Sequence, residues 1–356
     1  MRVDVAIIGA GIAGASLAAA LAGHRSVLLL EREDAPGRHS TGRSAAIFVR
    51  NYGKPVLRAL NDLSFGPLSE GGYLSPRGVM TIATRDDRPA FDAFMAEAHG
   101  VEQITTEEAC AAFPLLRPEA ANRAAIERAA SDIDVDRLMQ DHLRAHRAAG
   151  GEVWTKAEVT ALTHDGRWQI SLADGRACSA GTVVNAAGAW ADEVARGAHV
   201  RPMGIIPYRR SAAILPVEQD IATWPMILPA TETWYAKPEA GRLMVSPADE
   251  DPVPPQDAWP EDMVIAEGLD RFSQAVDYEI TRVTHSWAGL RSFAPDHVPV
   301  AGEAPDAPGF YWLAGQGGYG VQTSPALAAH MAALIRGEAS PCPDWVENSL
   351  SPRRFA

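Results

Sequence analysis

The first residues constrain this chain more than any other feature. Val3-Asp4-Val5-Ala6-Ile7-Ile8 reads as a short buried strand, followed at once by Gly9-Ala10-Gly11-Ile12-Ala13-Gly14 and then by the small, apolar stretch Ala15 to Ala22. Strand, G-x-G-x-x-G turn and helix in immediate succession form the dinucleotide-binding fingerprint in the context it requires. Gly9 permits the tight turn, Gly11 lets backbone approach a pyrophosphate, and Gly14 lets the helix lie close on the strand. The helix N-terminus then offers N–H groups and the positive end of its dipole to phosphates. A second strand, Ser26-Val27-Leu28-Leu29-Leu30, ends on Glu31, about 20 residues on, where a ribose-binding carboxylate is expected. An acid there repels a 2′-phosphate, which disfavours NADP and leaves FAD and NAD.

Composition narrows the setting. A chain of 356 residues suits two domains or one large doubly wound one. Hydrophobic content of 47% and charged content of 22% are those of an ordinary globular protein. The net charge of −13 argues against nucleic acid and anionic membrane surfaces as partners. Cys110, Cys178 and Cys342 have no paired spacing and suit a reducing compartment, so a cytoplasmic location is expected. No H-E-x-x-H string or Cys/His cluster points to a metal. Val3 to Ala22 is apolar like a signal peptide, yet Asp4 interrupts it and the glycines fall on the fingerprint. No run approaches the ~18 apolar residues of a membrane helix.

Further along, Arg32 to Gly42 reads as a loop, and Arg43-Ser44-Ala45-Ala46 as the opening of a short helix capped by Ser40 or Thr41. Helices are expected over 88–99, 106–112 and 134–149, the last closed by Gly150-Gly151. Residues 168–172 and 176–180 form a hairpin through Ala173-Asp174-Gly175, and 182–185 a separate buried strand. From Arg201 to Ser286 prolines are frequent and short β-rich runs dominate, with a helix over 262–276. The C-terminal part returns to the first texture: a strand over 309–314, a glycine turn at Gly315-Gln316-Gly317-Gly318, and a helix from about Ser324 to Arg336. The simplest organisation is α/β, α+β overall. A Rossmann-like nucleotide domain is assembled from 1–72, 130–200 and 286–356, with a mainly antiparallel, sheet-rich substrate domain inserted from 73–129 and 201–285. A domain that needs both chain ends, and a second glycine turn before a second helix, favour a flavin with a phosphate end and a ring end, because a helix N-terminus near the ring stabilises the negative charge of reduction.

Several strings bring a resemblance to this point. Gly9 to Gly14 with Glu31-Arg32, Asn185-Ala186-Ala187-Gly188-Ala189-Trp190, Gly289-Leu290-Arg291-Ser292-Phe293-Ala294-Pro295-Asp296 and Gly315-Gln316-Gly317-Gly318-Tyr319-Gly320 together resemble the D-amino acid oxidase / glycine oxidase family of FAD enzymes. The likeness runs from end to end. His39 to Ala46, Arg209-Arg210-Ser211 and His285 to Arg291 look most like the bacterial FAD-dependent D-arginine dehydrogenase pattern. The resemblance implies non-covalent FAD. It assigns to that cofactor Gly9, Gly11, Ile12, Ala13, Gly14, Glu31, Arg32, Thr41, Gly42, Arg43, Ser44, Ala46, Val159, Ala187 and Gly188. The same assignment takes in Gly315, Gly317, Gly318, Tyr319, Gly320, Val321 and Gln322.

Oxidation of an amino acid by flavin moves hydride from Cα to the flavin N5, so the protein must hold Cα within about 3–3.5 Å of it and fix one face. A carboxylate clamp is required, and arginine suits it because its planar fork binds a carboxylate bidentately. The resemblance gives this role to Arg210 and Arg291, with hydroxyls from Tyr52 and Tyr235. It gives the substrate amine to the Gly318 carbonyl, with Gln322 nearby. The alternative for Arg210, beside Arg209, is a solvated charge, and that for Tyr235 and Tyr52 is a core aromatic. Two departures bear on the substrate. Ala45-Ala46-Ile47 stands where the arginine dehydrogenase pattern has Ala-Ala-His, and Val79 stands where it has a glutamate for a cationic side chain. A guanidinium buried against Ile47 and Val79 is left unpaired at a cost of several kcal/mol. The expected substrates are therefore neutral or apolar D-amino acids, converted to imino acids and then to 2-oxo acids and ammonia. A secondary amine (N-alkyl or cyclic amino acid, or an opine) and an electron-transfer subunit of a larger complex are alternatives. The electron acceptor is left open between a quinone, another carrier and O2.

Overall fold

A computed structural model describes residues 1–355. Two eight-stranded sheets dominate it. The core of the first is five parallel strands in the order Glu152–Trp154, Val27–Leu30, Arg2–Ile8, Ala177–Asn185 and Phe310–Ala314. Their apolar runs are buried on both faces, as a parallel sheet covered by helices demands. The helix Ile12–Leu21 packs against Val135–Ala148 and Gly320–Arg336. It is apolar all round, which suits an element enclosed on most sides. Among the described residues no helix is long and apolar enough to cross a membrane.

The hairpin expected over 168–180 forms, but its second strand does not stop there. Ala177–Asn185 is one strand that absorbs the buried run 182–185. It pairs antiparallel with Trp168–Leu172 near its start and parallel with Phe310–Ala314 near its end, while Arg2–Ile8 runs along its other edge. The helix expected after Arg43 is absent. A 3-10 turn at Thr41–Arg43 gives way to extended backbone at Ser44, and Ala46 has φ 52°. The expected caps are used elsewhere: Thr41 Oγ1 accepts from the Ile12 N–H at 3.0 Å, and Ser40 Oγ donates to the Leu290 carbonyl at 2.7 Å. The helix Pro55–Glu70 has no counterpart in the sequence reading, because buried Asn61 and Ser64 interrupt its apolar stripe of Val56, Leu57, Leu60 and Leu68. The last long helix starts at Gly320, one turn ahead of Ser324.

The second sheet runs His285–Phe293, Ile206–Leu215, Arg242–Ser246, Tyr235–Glu239, Met226–Pro229, Val79–Ala83, Arg123–Glu127, Glu102–Ile104. Every neighbouring pair is antiparallel except Met226–Pro229 with Val79–Ala83. His285–Phe293 pairs along its whole length with Ile206–Leu215, so this strand belongs to the second sheet although the boundary drawn from sequence falls at 286. A small sheet of Ile47–Phe48, Ser131–Ile133 and Leu74–Pro76 lies beside the two. The carboxyl ends of the parallel strands open onto a cavity whose other wall is the second sheet, the position that open α/β sheets reserve for ligands.

Two arginines fasten the tail: Arg201 Nη1 donates to the Phe355 carbonyl at 3.2 Å, and Arg354 makes the larger set of bonds. Arg354 Nε and Nη2 donate to the two Asp296 oxygens at 2.7 and 3.2 Å, and Nη2 donates to the Val298 carbonyl at 2.8 Å. Burial pushes the Asp296 carboxyl up, but this fork and the Val298 N–H outweigh it and hold the group below its ordinary 3.8. A depressed acid contributes stability that is present above its unfolded value and lost as pH falls through the folded one. Arg354→Ala is therefore expected to cost about 1–2 kcal/mol at neutral pH, discounted for solvent screening. The gap between wild type and variant in urea midpoint should close as pH falls below the ordinary 3.8 and through the depressed folded value. An unchanged midpoint at pH 7 would show that the fork contributes nothing.

Candidate functional site

The cavity has a volume of about 1100 Å3 and is continuous from the glycine fingerprint to the second sheet. This reaches past the ~300–1,000 Å3 of ordinary small-molecule sites, as a dinucleotide with a small acid would need. At the fingerprint end, Gly9 has φ 102°, and a Cβ there would stand 2.4 Å from the Ala186 carbonyl oxygen. Gly14 is tighter still, with the Gly9 oxygen 1.9 Å from where its Cβ would sit. Gly11 caps the first helix without a side-chain bond of its own. Glu31 is buried and accepts the Ala10 N–H at 2.9 Å and the Glu33 N–H at 3.0 Å, one on each oxygen. Both oxygens keep a lone pair, and the residue lines the cavity. Arg32 stacks on Trp190, its Cζ 4.8 Å from the ring centroid. A second helix N-terminus, at Gly320, opens on the same cavity with no side-chain cap. Two helix starts, the first with its Ile12 N–H taken by Thr41 and the second without a side-chain cap, together with a glycine cradle and a buried acid at ribose distance, fit FAD.

Most of the residues assigned to the cofactor line this cavity; Gly14, Gly42 and Gly315 do not. These three shape the turns behind it, where a Cβ would meet Gly9 O, Gly37 O and Ile205 Cδ1 respectively. Arg43 lines the cavity, and its guanidinium bonds to protein. Nη1 donates to the Ala258 and Ala288 carbonyls at 2.9 and 3.0 Å, and Nη2 pairs with Asp257. Its part is to tie down the 257–258 loop. None of the three cysteines lines the cavity.

At the sheet end, Arg210 faces Gly289 across the strand pair, and Arg291 lies two residues from Gly289, so the two arginines share one face with a glycine between them. The neighbours Arg209 and Arg210 separate cleanly. Arg209 points the other way and is buried against Asp249, Asp251 and Glu261. Arg210 lines the cavity and donates Nε to the Asp249 carbonyl at 2.7 Å, with Glu250 3.9 Å from Nη2. Arg291 donates Nη1 to the Tyr52 hydroxyl at 3.2 Å and, among the described residues, has no ion pair. Burial alone would lower its pKa, but the Tyr52, Tyr235 and Tyr319 hydroxyls and Glu250 outweigh this and raise it. Burial pushes the Tyr319 hydroxyl well up, and its ring lies 4.7 Å from that of Tyr52. Gly318 abuts the pair: a Cβ there would come within 2.9 Å of Arg291 Cζ and 3.2 Å of the Tyr52 hydroxyl. Ile47, Val79, Tyr235, Met226 and Met244 form one apolar cluster on the adjoining wall.

Gln322 lines the cavity, is 2% exposed, and bonds to protein through both ends of its amide. Its Oε1 accepts the Val49 N–H at 3.1 Å, and its Nε2 donates to Asn61 Oδ1 at 2.8 Å. These two bonds tie it to protein and leave one N–H and one lone pair of the amide unused. Glu127, which the sequence reading passed over, stands directly across the strand pair from Val79 and lines the cavity. Its oxygens accept the Arg50 N–H at 2.9 Å and Asn51 Nδ2 at 2.7 Å. Burial raises its carboxyl above the ordinary value, and those bonds lower it without cancelling the effect. Nothing local marks Glu127 in the sequence; only the pairing of two distant strands sets it beside Val79.

The chain is 26% identical to the uncharacterized oxidoreductase YurR of Bacillus subtilis, over 93% of this chain and 94% of that one. It also matches the bifunctional tRNA 5-methylaminomethyl-2-thiouridine biosynthesis protein MnmC of Burkholderia mallei at 25% identity, spanning 59% of that longer protein. Among solved structures, the glycine oxidase of Geobacillus kaustophilus superposes with a TM-score of 0.84 at 21% identity, covering 98% of both chains. L-proline dehydrogenase from P. horikoshii superposes at 0.86 and 22%, covering 99% and 98%. The family model described as FAD dependent oxidoreductase matches residues 4–334, and the chain belongs to this family, the DAO family of FAD-dependent oxidoreductases.

Proposed function

We propose that this chain oxidises neutral or apolar D-amino acids at the Cα–N bond, giving an imino acid that water hydrolyses to a 2-oxo acid and ammonia. The observation that carries the reading is Arg291, a cation at the cavity wall with a tyrosine hydroxyl for company and no acid within ion-pair distance. A guanidinium so placed is costly unless an anion completes it, and a carboxylate completes its fork bidentately. Arg210 on the same face adds a second positive charge, and Tyr52 a hydroxyl.

When bound, FAD supplies the hydride acceptor for the Cα–H. Gly9, Gly11 and Glu31 would hold its nucleotide half, and Ala46 with Gly317 to Gly320 its ring half. The chain's own work is placement. Arg291 and Arg210 fix the carboxylate, and the Gly318 carbonyl accepts from the amine, which leaves Cα with one face toward the ring half. The mechanism asks for no strong protein base, only for the amine to lose its proton before Cα–H breaks. Ile47, Val79 and Tyr235 present an apolar wall to the side chain. Glu127 stands beside Val79, yet both its oxygens already serve the 50–51 backbone and Asn51, so a guanidinium would have to compete for them. A secondary amine would use the same clamp.

Two measurements test this. Mixed anaerobically with the FAD-loaded protein, apolar D-amino acids are expected to bleach the visible flavin absorbance, with D-arginine at least about tenfold less effective, the equivalent of ~1.4 kcal/mol. Fast bleaching by D-arginine would mean that Glu127 serves as the partner of a cationic side chain. Reduction by sarcosine or proline alone would move the assignment to secondary amines. Separately, Arg291→Lys keeps the charge and loses the fork. It is expected to raise KM about a hundredfold, ~2–3 kcal/mol, with FAD content unchanged. An unaltered KM would remove the clamp from the account.

A further inference from the structure

The segment that carries Tyr52, residues 49–53, has no regular secondary structure, yet it is pinned from two sides. From one side Asn61, 0% exposed, places Nδ2 at 3.3, 3.3 and 3.2 Å from the carbonyls of Val49, Arg50 and Tyr52. Asn61 Oδ1 accepts from Gln322 Nε2, and Gln322 Oε1 accepts the Val49 N–H, which closes a ring of bonds. From the other side Glu127, 5% exposed, accepts the Arg50 N–H and Asn51 Nδ2. Asn51 in turn exchanges bonds of 2.8 Å with the His99 carbonyl and N–H.

Buried amides are costly unless fully satisfied, and an apolar pair of similar size would fill the space between two helices without that cost. What the amides add is position. Asn61 sits on Pro55–Glu70, and Gln322 sits in the first turn of Gly320–Arg336, whose N-terminus opens on the cavity. The ring of bonds therefore fixes the Tyr52 segment relative to the helix start that faces the ring half of the site. A displaced segment would carry the Tyr52 hydroxyl away from Arg291 Nη1, 3.2 Å away, and from the Tyr319 ring.

We infer that Asn61 and Gln322 are positioning residues, which set the Tyr52 hydroxyl against Arg291 and so preorganise the carboxylate clamp; this rests on the clamp reading above. Asn61 lies outside the cavity lining, and Gln322, in that lining, bonds to Val49 and Asn61. Their effect on ligand must pass through Tyr52, and that dependence is measurable.

The probe is propionate, the carbon skeleton of alanine without its amine, titrated into FAD-loaded protein and followed by perturbation of the flavin spectrum. Tyr52→Phe and Asn61→Leu are each expected to weaken propionate binding about tenfold, and the double variant no more than about tenfold, because the second change removes what the first has already lost. FAD content should be unchanged in all three. Independent effects that multiply to about a hundredfold in the double variant would overturn the inference. So would an Asn61→Leu protein with unaltered propionate affinity. If Asn61→Leu does not fold, Gln322→Met, which removes the bonds to Val49 and Asn61 at similar volume, takes its place in the same cycle with the same two outcomes. An Arg291→Lys arm separates the layers. Unchanged propionate affinity there overturns the clamp reading and this inference together. Weakened affinity there, with Asn61 and Tyr52 acting independently, overturns this inference alone.

Discussion

The structure depends on how closely three backbones meet at the fingerprint. Gly14 presses the first helix onto the turn so tightly that the Gly9 oxygen occupies the place of a Cβ, and Gly9 presses the same turn onto Ala186. This contact brings the ends of Arg2–Ile8 and Ala177–Asn185 and the start of Ile12–Leu21 together at one point. Glu31 is drawn in by the same geometry, because the Ala10 N–H it accepts lies inside the turn. The carboxyl edge of the sheet, the first helix dipole and the buried acid therefore converge without any of them needing a long side chain. Bulk at Gly9 or Gly14 would separate all three together.

Charge at the other end of the cavity follows a different logic. Arg209 and Arg210 are adjacent in the chain and alternate across the strand. Arg209 meets three acids and is a structural cation; Arg210 and Arg291 face the cavity, and Arg291 meets hydroxyls in place of carboxylates. Tyrosine hydroxyls solvate a guanidinium without neutralising it. Arg291 thus stands at the cavity wall with no acid in ion-pair distance, beside a Tyr52 whose ring meets that of Tyr319, while Arg210 has Glu250 3.9 Å from its Nη2. Gly318 completes the arrangement by contributing nothing beyond backbone, so that a main-chain carbonyl can approach beside the cation.

How much of this was legible in the sequence depended on how local each signal is. The fingerprint and the helices expected over 106–112 and 134–149 are written in consecutive residues and appear where the sequence places them, as Thr106–Ala112 and Val135–Ala148. Failures came where a distant partner decides the outcome. Thr41 looks like a helix cap and is instead an acceptor for Ile12. The helix Pro55–Glu70 loses its apolar periodicity at Asn61 and Ser64 because those polar side chains have partners far along the chain, in Gln322 and at the Ala326 N–H. For the same reason the bond from Val49 to Gln322 could not be foreseen, and Glu127 stayed invisible until a strand pairing set it across from Val79. Motif reading names residues that line the cavity; it does not find the residues that hold those residues still.

Backbone strain gives this last distinction a physical measure. Seven described residues other than glycine have positive φ, and four of them, Ala46, Glu232, Ala248 and His297, line the cavity. A left-handed non-glycine residue costs of order 1 kcal/mol and persists only where its surroundings over-determine it. At Ala46 they do: its N–H donates to Ser44 Oγ at 3.0 Å, its carbonyl accepts from Ile133 at 2.8 Å, and Ile47 beyond it is locked to Asp132 in the small sheet. The reversal at Ala46 turns the chain from the 3-10 turn at Thr41–Arg43 into the strand Ile47–Phe48. One short run of backbone thereby reaches from the fingerprint to the apolar wall. An ordinary helix from Arg43, which the local sequence favours, would have carried Ile47 elsewhere. The cavity exists at this point because tertiary bonds overrule a local preference, and alanine is the smallest residue with a side chain on which to impose that conformation.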